Sequence, residues 1–419
     1  MDPTAHSRRE AVAASFGLML LAACQPASPA APPADPPAPP LSALKLPDPS
    51  PASRQLGAAA SAFGLVMLRQ LMEGAPGSTL VTSPLSLAAD LLMLAQGARG
   101  ATAATLAQAL QLPPGLSLAD AAQAFANLAA RLVSSAAATV AIADGLWADN
   151  AAGLEPAFQK TLQDVFAARA KVTDLSAPAA LADINGFVNQ TTRGKIPTIL
   201  STMPAGALLV LVNALYFKGG WQAPFDAAQT AAAPFTGADG TAQAAQLMHQ
   251  GGEYAYRETD QLQALALPYA DSRFELRLVL AKPGAAPGAW MDGFSGYDGE
   301  RPGQVFLPRL DLTWGADLTA LLGQIGLAPA LAPSADYSGA MSAPFGGLAV
   351  VQKCLLKVDE QGAEAAAATA ITIAGAAAPS PSPPPPFVFR ADRPFHLMLV
   401  ETATGAPLIL AYVAAPTSA

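Results

Sequence analysis

The stretch Val358 to Phe389, VDEQGAEAAAATAITIAGAAAPSPSPPPPFVF, decides how the rest of the chain reads. It opens on an acidic turn, Asp359-Glu360-Gln361-Gly362. A run of small side chains follows, Ala363 to Ala370, interrupted by Glu364 and Thr369. A β-branched patch, Ile371-Thr372-Ile373, leads into Ala374 to Ala378 and a proline tract. No side chain in it supplies acid–base or nucleophilic chemistry. By composition it reads as an alanine/proline linker. Two features argue against that. Strand-like sequence flanks it (Leu348 to Leu356 and Phe387 to Phe389), and its first half turns β-branched, which a flexible linker does not need. Small residues in an extended segment suit a strand that must slide between two existing strands, where bulk would clash.

Composition bounds what surrounds this stretch. The 419 residues suffice for one large domain or two or three ordinary ones. The chain is 52% hydrophobic and 13% charged, which reflects alanine enrichment rather than a membrane bundle. A formal net charge of −8 weighs against nucleic acid or an anionic membrane surface as partner. The two cysteines, Cys24 and Cys354, make no disulfide framework, and the three histidines lack metal-ligand spacing. There is no nucleophile elbow, Gly-rich phosphate loop or metal motif, so the sequence does not read as an enzyme.

Residues 1–23 read as an export signal, with Arg8-Arg9 as the basic region and Ala11 to Leu21 as an apolar run too short to span a bilayer. Leu21-Ala22-Ala23-Cys24 resembles the bacterial lipobox, which implies lipidation of Cys24. The expected location is the cell envelope, held by the lipid alone at the outer membrane, or the extracellular space. Residues 24–54 read as a semi-extended Pro/Ala tether and residues 55–415 as the folded domain.

Within that domain, Glu360-Gln361-Gly362-Ala363-Glu364-Ala365-Ala366-Ala367-Ala368-Thr369-Ala370 resembles, position for position, the hinge of the reactive-centre loop in inhibitory serpins. Other segments resemble the same family in the same order. Thr82-Ser83-Pro84-Leu85-Ser86 looks like its strand-to-helix step, and Ile184 to Ile196 like the helix that crosses its main sheet. Asn213-Ala214-Leu215-Tyr216-Phe217-Lys218-Gly219-Gly220-Trp221 is close to another of its signatures. The resemblance implies an α+β fold with three β-sheets, about eight or nine helices and an exposed loop at about residues 360–386. It places Ser83, Ser86, Asn213 and Gln352 at the shutter beneath the sheet centre, and Trp221 at the breach where the loop begins to insert.

The implied activity is suicide inhibition of serine proteases: loop cleavage, trapping of the acyl-enzyme and insertion of the loop as a new sheet strand. Family spacing from Glu360 puts the reactive bond at Ala376-Ala377, with a shift of one or two positions left open. Small flanking residues point to elastase-like or subtilisin-like targets and away from trypsin-like ones. No cofactor is implied, and a monomer is expected. The helix that carries basic clusters in glycosaminoglycan-binding members holds only Arg131 here, which argues against that partner.

The chain departs from the pattern in four places. Gln352 replaces the usual shutter histidine; it can hydrogen-bond but not titrate, which weighs against pH-sensitive opening. The loop is long on its proline side, Ala411-Tyr412 replace a Gly-basic pair, and His396 replaces an apolar residue, the mark of a packed histidine rather than a functional one. The alternatives are a non-inhibitory serpin and a surface lipoprotein that binds a partner or polysaccharide.

Overall fold

A computed structural model describes residues 45–362 and 385–416. The export signal, Cys24, most of the tether, Ala363 to Thr369 and the Ala376-Ala377 bond lie outside the described residues.

The chain begins with α1 (Pro51–Gly74), β1 (Leu80–Thr82), α2 (Pro84–Gly97), α3 (Gly100–Ala109) and α4 (Leu118–Ala129). It continues through β2 (Ala138–Asp149), α5 (Pro156–Phe166), β3 (Arg169–Thr173), α6 (Pro178–Thr191) and β4 (Leu209–Gly219). A strand-rich stretch follows: β5 (Ala231–Thr236), β6 (Ala242–Glu258), β7 (Leu262–Pro268), β8 (Phe274–Ala281), β9 (Gly299–Pro308) and β10 (Leu310–Asp317). Two short helices, α7 (Thr319–Leu322) and α8 (Ala328–Leu331), lead into β11 (Leu348–Val358). The chain closes with β12 (Phe387–Arg390), β13 (Phe395–Glu401) and β14 (Ala406–Val413).

The first helix starts at Pro51, inside the stretch read as tether. The Ser50 hydroxyl accepts from the Ser53 N–H at 3.0 Å, and Pro51 fills the first helical position, where its missing N–H is not needed. Proline composition, read as polyproline, here marks a helix start.

Hydrogen bonds join the strands into two sheets. The five-stranded one runs β10-β11-β4-β2-β3; the other has nine strands. The three expected sheets correspond to the first of these plus two limbs of the second, fused through β6. Leu247–Tyr256 of β6 pairs with β9, whereas Tyr256–Glu258 pairs with β7.

β11 and β4 meet at a seam inside the five-stranded sheet. These strands are parallel, with Leu348 opposite Leu209, Gln352 opposite Asn213 and Leu356 opposite Phe217. Both are flanked by antiparallel partners, β10 and β2.

Each face of the five-stranded sheet is covered. Beneath it lies α2, buried from Pro84 to Ala95 and packed against β4, β2 and β14, hence between the two sheets. A helix apolar all round suits only such a position. On the outer face lies α6. Ala180, Ile184 and Val188 recur at four-residue spacing and meet Val210, Val212 and Val351 of the seam. Burying Ile184 and Val188 contributes about 1.5–3 kcal/mol each.

Just ahead of β2 the Arg131 guanidinium is buried. It donates to the Glu401 carboxylate at 2.8 and 2.9 Å and to the Pro47 carbonyl at 2.6 Å. This residue lies beyond α4 and inside the protein, so it offers no surface cation.

Candidate functional site

The turn after β11 is bound tightly to the end of β4. The Trp221 indole N–H donates to the Asp359 carbonyl at 2.8 Å, and its backbone N–H to the Gln361 carbonyl at 3.0 Å. The Phe225 N–H reaches the Glu360 carbonyl at 2.8 Å. The ring of Trp221 stacks on Tyr269 at 4.4 Å, and Tyr269 meets Phe217 edge-on at 5.0 Å. Gly362 sits at φ +90°, where an added Cβ would lie 2.4 Å from the Trp221 nitrogen and 2.5 Å from the Gly219 carbonyl oxygen. Only glycine satisfies both the dihedral and the space.

Glu360 is 6% exposed and takes three hydrogen bonds from side chains. The Arg309 Nε donates to its two oxygens at 2.8 and 3.0 Å, and the Thr230 hydroxyl donates at 2.5 Å. A further contact joins Arg309 Nη2 to the carboxylate at 2.6 Å. Burial pushes the Glu360 carboxyl up, but the hydrogen bonds from Arg309 and Thr230 outweigh it and hold the group below the usual carboxylate range.

The far end of the loop is anchored separately. The Arg301 guanidinium donates to the Pro385 carbonyl through Nε at 3.1 Å and Nη2 at 2.8 Å. Phe387 stacks on Tyr256 at 3.7 Å, and β12 runs parallel to β9. A Cβ on Gly303 would fall 2.3 Å from the Phe387 ring, so glycine lets the anchor close.

The four residues assigned to the shutter meet under the middle of the seam. The Gln352 amide oxygen accepts from the Thr82 hydroxyl at 2.7 Å and the Ser83 N–H at 3.0 Å. Its nitrogen donates to the Ser83 carbonyl at 3.0 Å and to Asn213 at 3.3 Å. Ser83 stands at the start of α2, but its hydroxyl pairs with that of Ser86 at 2.9 Å and caps nothing. Gln352 is thus fully used as donor and acceptor, and it ties β11 to β1, α2 and β4 at once.

Beside this cluster the Asn213 amide donates to Asp144 on β2. Asp90 on α2 is fully buried, and neither of its oxygens has a partner. Burial pushes both carboxyls up, Asp144 to about 7 against the opposing hydrogen bond from Asn213, and the charge of Asp144 raises Asp90 further.

On the outer face, Asp183 of α6 accepts from the Trp147 indole at 2.8 Å and from Arg169 at 2.7 Å, with Lys171 at 3.1 Å. These contacts fasten α6 across the sheet.

Arg309, Thr230, Arg301, Asp90, Asp144 and Asp183 were not singled out in the sequence. Asp144 had a signal: it follows Val140 and Ile142 at strand alternation, on the inward face. Asp90 likewise interrupts an apolar helix. The other four carry no local signal, since their partners lie elsewhere in the chain. His396 is buried, neutral and stacked on Trp290 at 4.1 Å, in keeping with a packed histidine. Cys354 is a buried free thiol on β11.

The family model described as "Serpin (serine protease inhibitor)" matches residues 58–416. Serpin-ZXA of Oryza sativa subsp. japonica is 32% identical over 374 residues, covering 82% of this chain and 91% of that protein. The leukocyte elastase inhibitor of Bos taurus is 30% identical over 340 residues, covering 74% and 88%. In structure, human thyroxine-binding globulin complexed with its hormone superposes with a TM-score of 0.78 at 22% identity, covering 88% of this chain and all of that one.

Proposed function

Because the chain belongs to the serpin family, we propose that it is a suicide-substrate inhibitor of serine proteases with small-residue specificity, of the elastase or subtilisin type. The observation that carries this reading is the β4–β11 seam. A segment that left β11 through Gly362 and turned back would run antiparallel to it, and between two parallel strands it would form an antiparallel ladder on both sides.

Ala363, Ala365, Ala366, Ala367, Ala368 and Thr369 would enter first, and none is bulky. Glu364 alternates to the opposite face, suited to solvent. About 15 residues at ~3.3 Å each would carry an attached protease roughly 50 Å. A dozen or more added hydrogen bonds at about 0.5–1.5 kcal/mol each would release on the order of 10 kcal/mol, comparable to a domain's whole stability. That supports distortion of the protease before its acyl-enzyme hydrolyses.

In this reading Trp221, Glu360 and Gly362 hold the breach, Ser83, Ser86, Asn213 and Gln352 the shutter, and Ala376-Ala377 is the bait. The relationship to a leukocyte elastase inhibitor supports an elastase-like target. Lipidation at Cys24 would place the inhibitor on the cell envelope; metabolic labelling with a fatty acid, lost in C24S, tests that part separately.

The function is tested by mixing the protein with pancreatic elastase and with trypsin. A denaturant-stable complex is expected with elastase and none with trypsin. Ala363→Arg should convert inhibition into plain cleavage. Clean cleavage of the unaltered protein by elastase would sink the reading.

A further inference from the structure

Two acidic side chains lie in the one place where a charge would be hardest to keep. Asp90 of α2 and Asp144 of β2 are buried on elements that pack on one another, close enough to interact, and Asp144 is hydrogen-bonded to Asn213, whose contact with Gln352 joins β4 to β11. Asp90 is wholly buried with both oxygens unpartnered, and Asp144 is 8% exposed with the Asn213 amide as its donor. Two ionised carboxylates this close in a dry layer repel each other and lack solvation, so the pair retains a proton.

We propose that protonation of the Asp90–Asp144 pair locks the centre of the five-stranded sheet, and that losing the Asp144 proton near neutrality loosens the β4–β11 seam.

Among the described residues no cation offsets the pair. The chain of groups leading away from it is neutral: the Asn213 amide, then the Gln352 amide, then Ser83 with its hydroxyl on Ser86. The Cys354 thiol of β11 is kept protonated by burial. The charges on neighbouring elements are engaged elsewhere. After α4, Arg131 is bound to Glu401. Arg69 of α1 pairs with Glu73, and Lys160 of α5 with Asp164, all at the surface. Arg99 donates to the carbonyls of Gln96 and Ala98, and Lys353 of β11 to the Thr198 carbonyl on the other face. Tyr412 of β14 turns to His396.

The sign follows from burial. Both folded-state values stand above that of an unfolded aspartate, so protonation favours the closed sheet. The share due to Asp144 is complete below about pH 4 and is lost as pH rises through about 7, where Asp144 titrates. Opening admits water to the pair and relieves the charge. The usual titrating group is missing at Gln352, and a different pair on α2 and β2 takes its place.

Cys354 lies two residues beyond Gln352 on the same buried face of β11, so its reaction with N-ethylmaleimide reports parting of the seam. The rate at Cys354 is followed by peptide mass spectrometry in the full chain and in the double variant D90N/D144N, from pH 6 to pH 8.5. Taking the ratio at each pH cancels the thiol's own ionisation. A ratio near one at pH 6, rising to about tenfold by pH 8, is expected for release of one proton at about 7. A ratio that stays flat overturns the proposal.

Should the double variant not fold, infrared spectra of the unaltered protein decide. A protonated carboxyl band that weakens between pH 6 and pH 8.5 supports the lock; a band absent at pH 6, or unchanged across that range, refutes it. The proposal rests on the insertion reading only for its consequence. Neither measurement uses a protease, so a failure here and a failure to trap elastase are separate results.

Discussion

A methyl group at residue 362 has nowhere to go. The backbone there is left-handed, and the Trp221 nitrogen and Gly219 carbonyl already occupy the space. Gly362→Ala should therefore cost about 1–3 kcal/mol from the dihedral alone, more once the turn is pushed off β4, and thermal unfolding would show it as a Tm lower by several degrees. Glu360 makes a different prediction. Its carboxyl is held below the usual range by Arg309 and Thr230, so its contribution is complete above the ordinary glutamate value and fades as pH falls through the depressed one. Glu360→Gln should lose on the order of 1 kcal/mol at neutral pH, allowing for the partial exposure of Arg309. Its stability should also fall less steeply than that of the unaltered protein between about pH 5 and pH 3. Denaturant titrations at several pH values would read both effects.

At the scale of elements, α6 is the obstacle to any added strand. It covers the outer face of the seam and is fastened by Asp183 to β2 and β3. Asp183→Ala leaves the Trp147 indole and the Arg169 guanidinium without that acceptor. The expected loss is about 1–2 kcal/mol, together with faster insertion, measured as a shorter time to complex formation with elastase. Unchanged insertion kinetics in a less stable variant would show that α6 merely packs there. Elements were legible in the sequence where a contiguous motif carries them: Thr82-Ser83-Pro84-Leu85-Ser86, by its resemblance to the family's strand-to-helix step, marked β1 running into α2. The clamps were not legible, because Arg309 and Thr230 lie 51 and 130 residues from Glu360. Spacing within a motif cannot announce such a partner. The helix at Pro51 was missed for the opposite reason, since a local proline signal fits a tether and a first helical turn equally well.

At the scale of the molecule, the proposed function requires that the parallel pair β4 and β11 accept a further strand between them. Cutting the loop with elastase in excess should raise the Tm well above that of the intact protein, by more than 10 °C if on the order of 10 kcal/mol is released. An unchanged Tm after cutting would mean that no such arrangement is reached.

The grip of Arg131 on the Pro47 carbonyl has a mechanical consequence. A pull on the chain ahead of residue 47 is delivered through that guanidinium to Glu401 at the end of β13. Arg273, which donates to the Arg131 carbonyl just ahead of β8, shares that load.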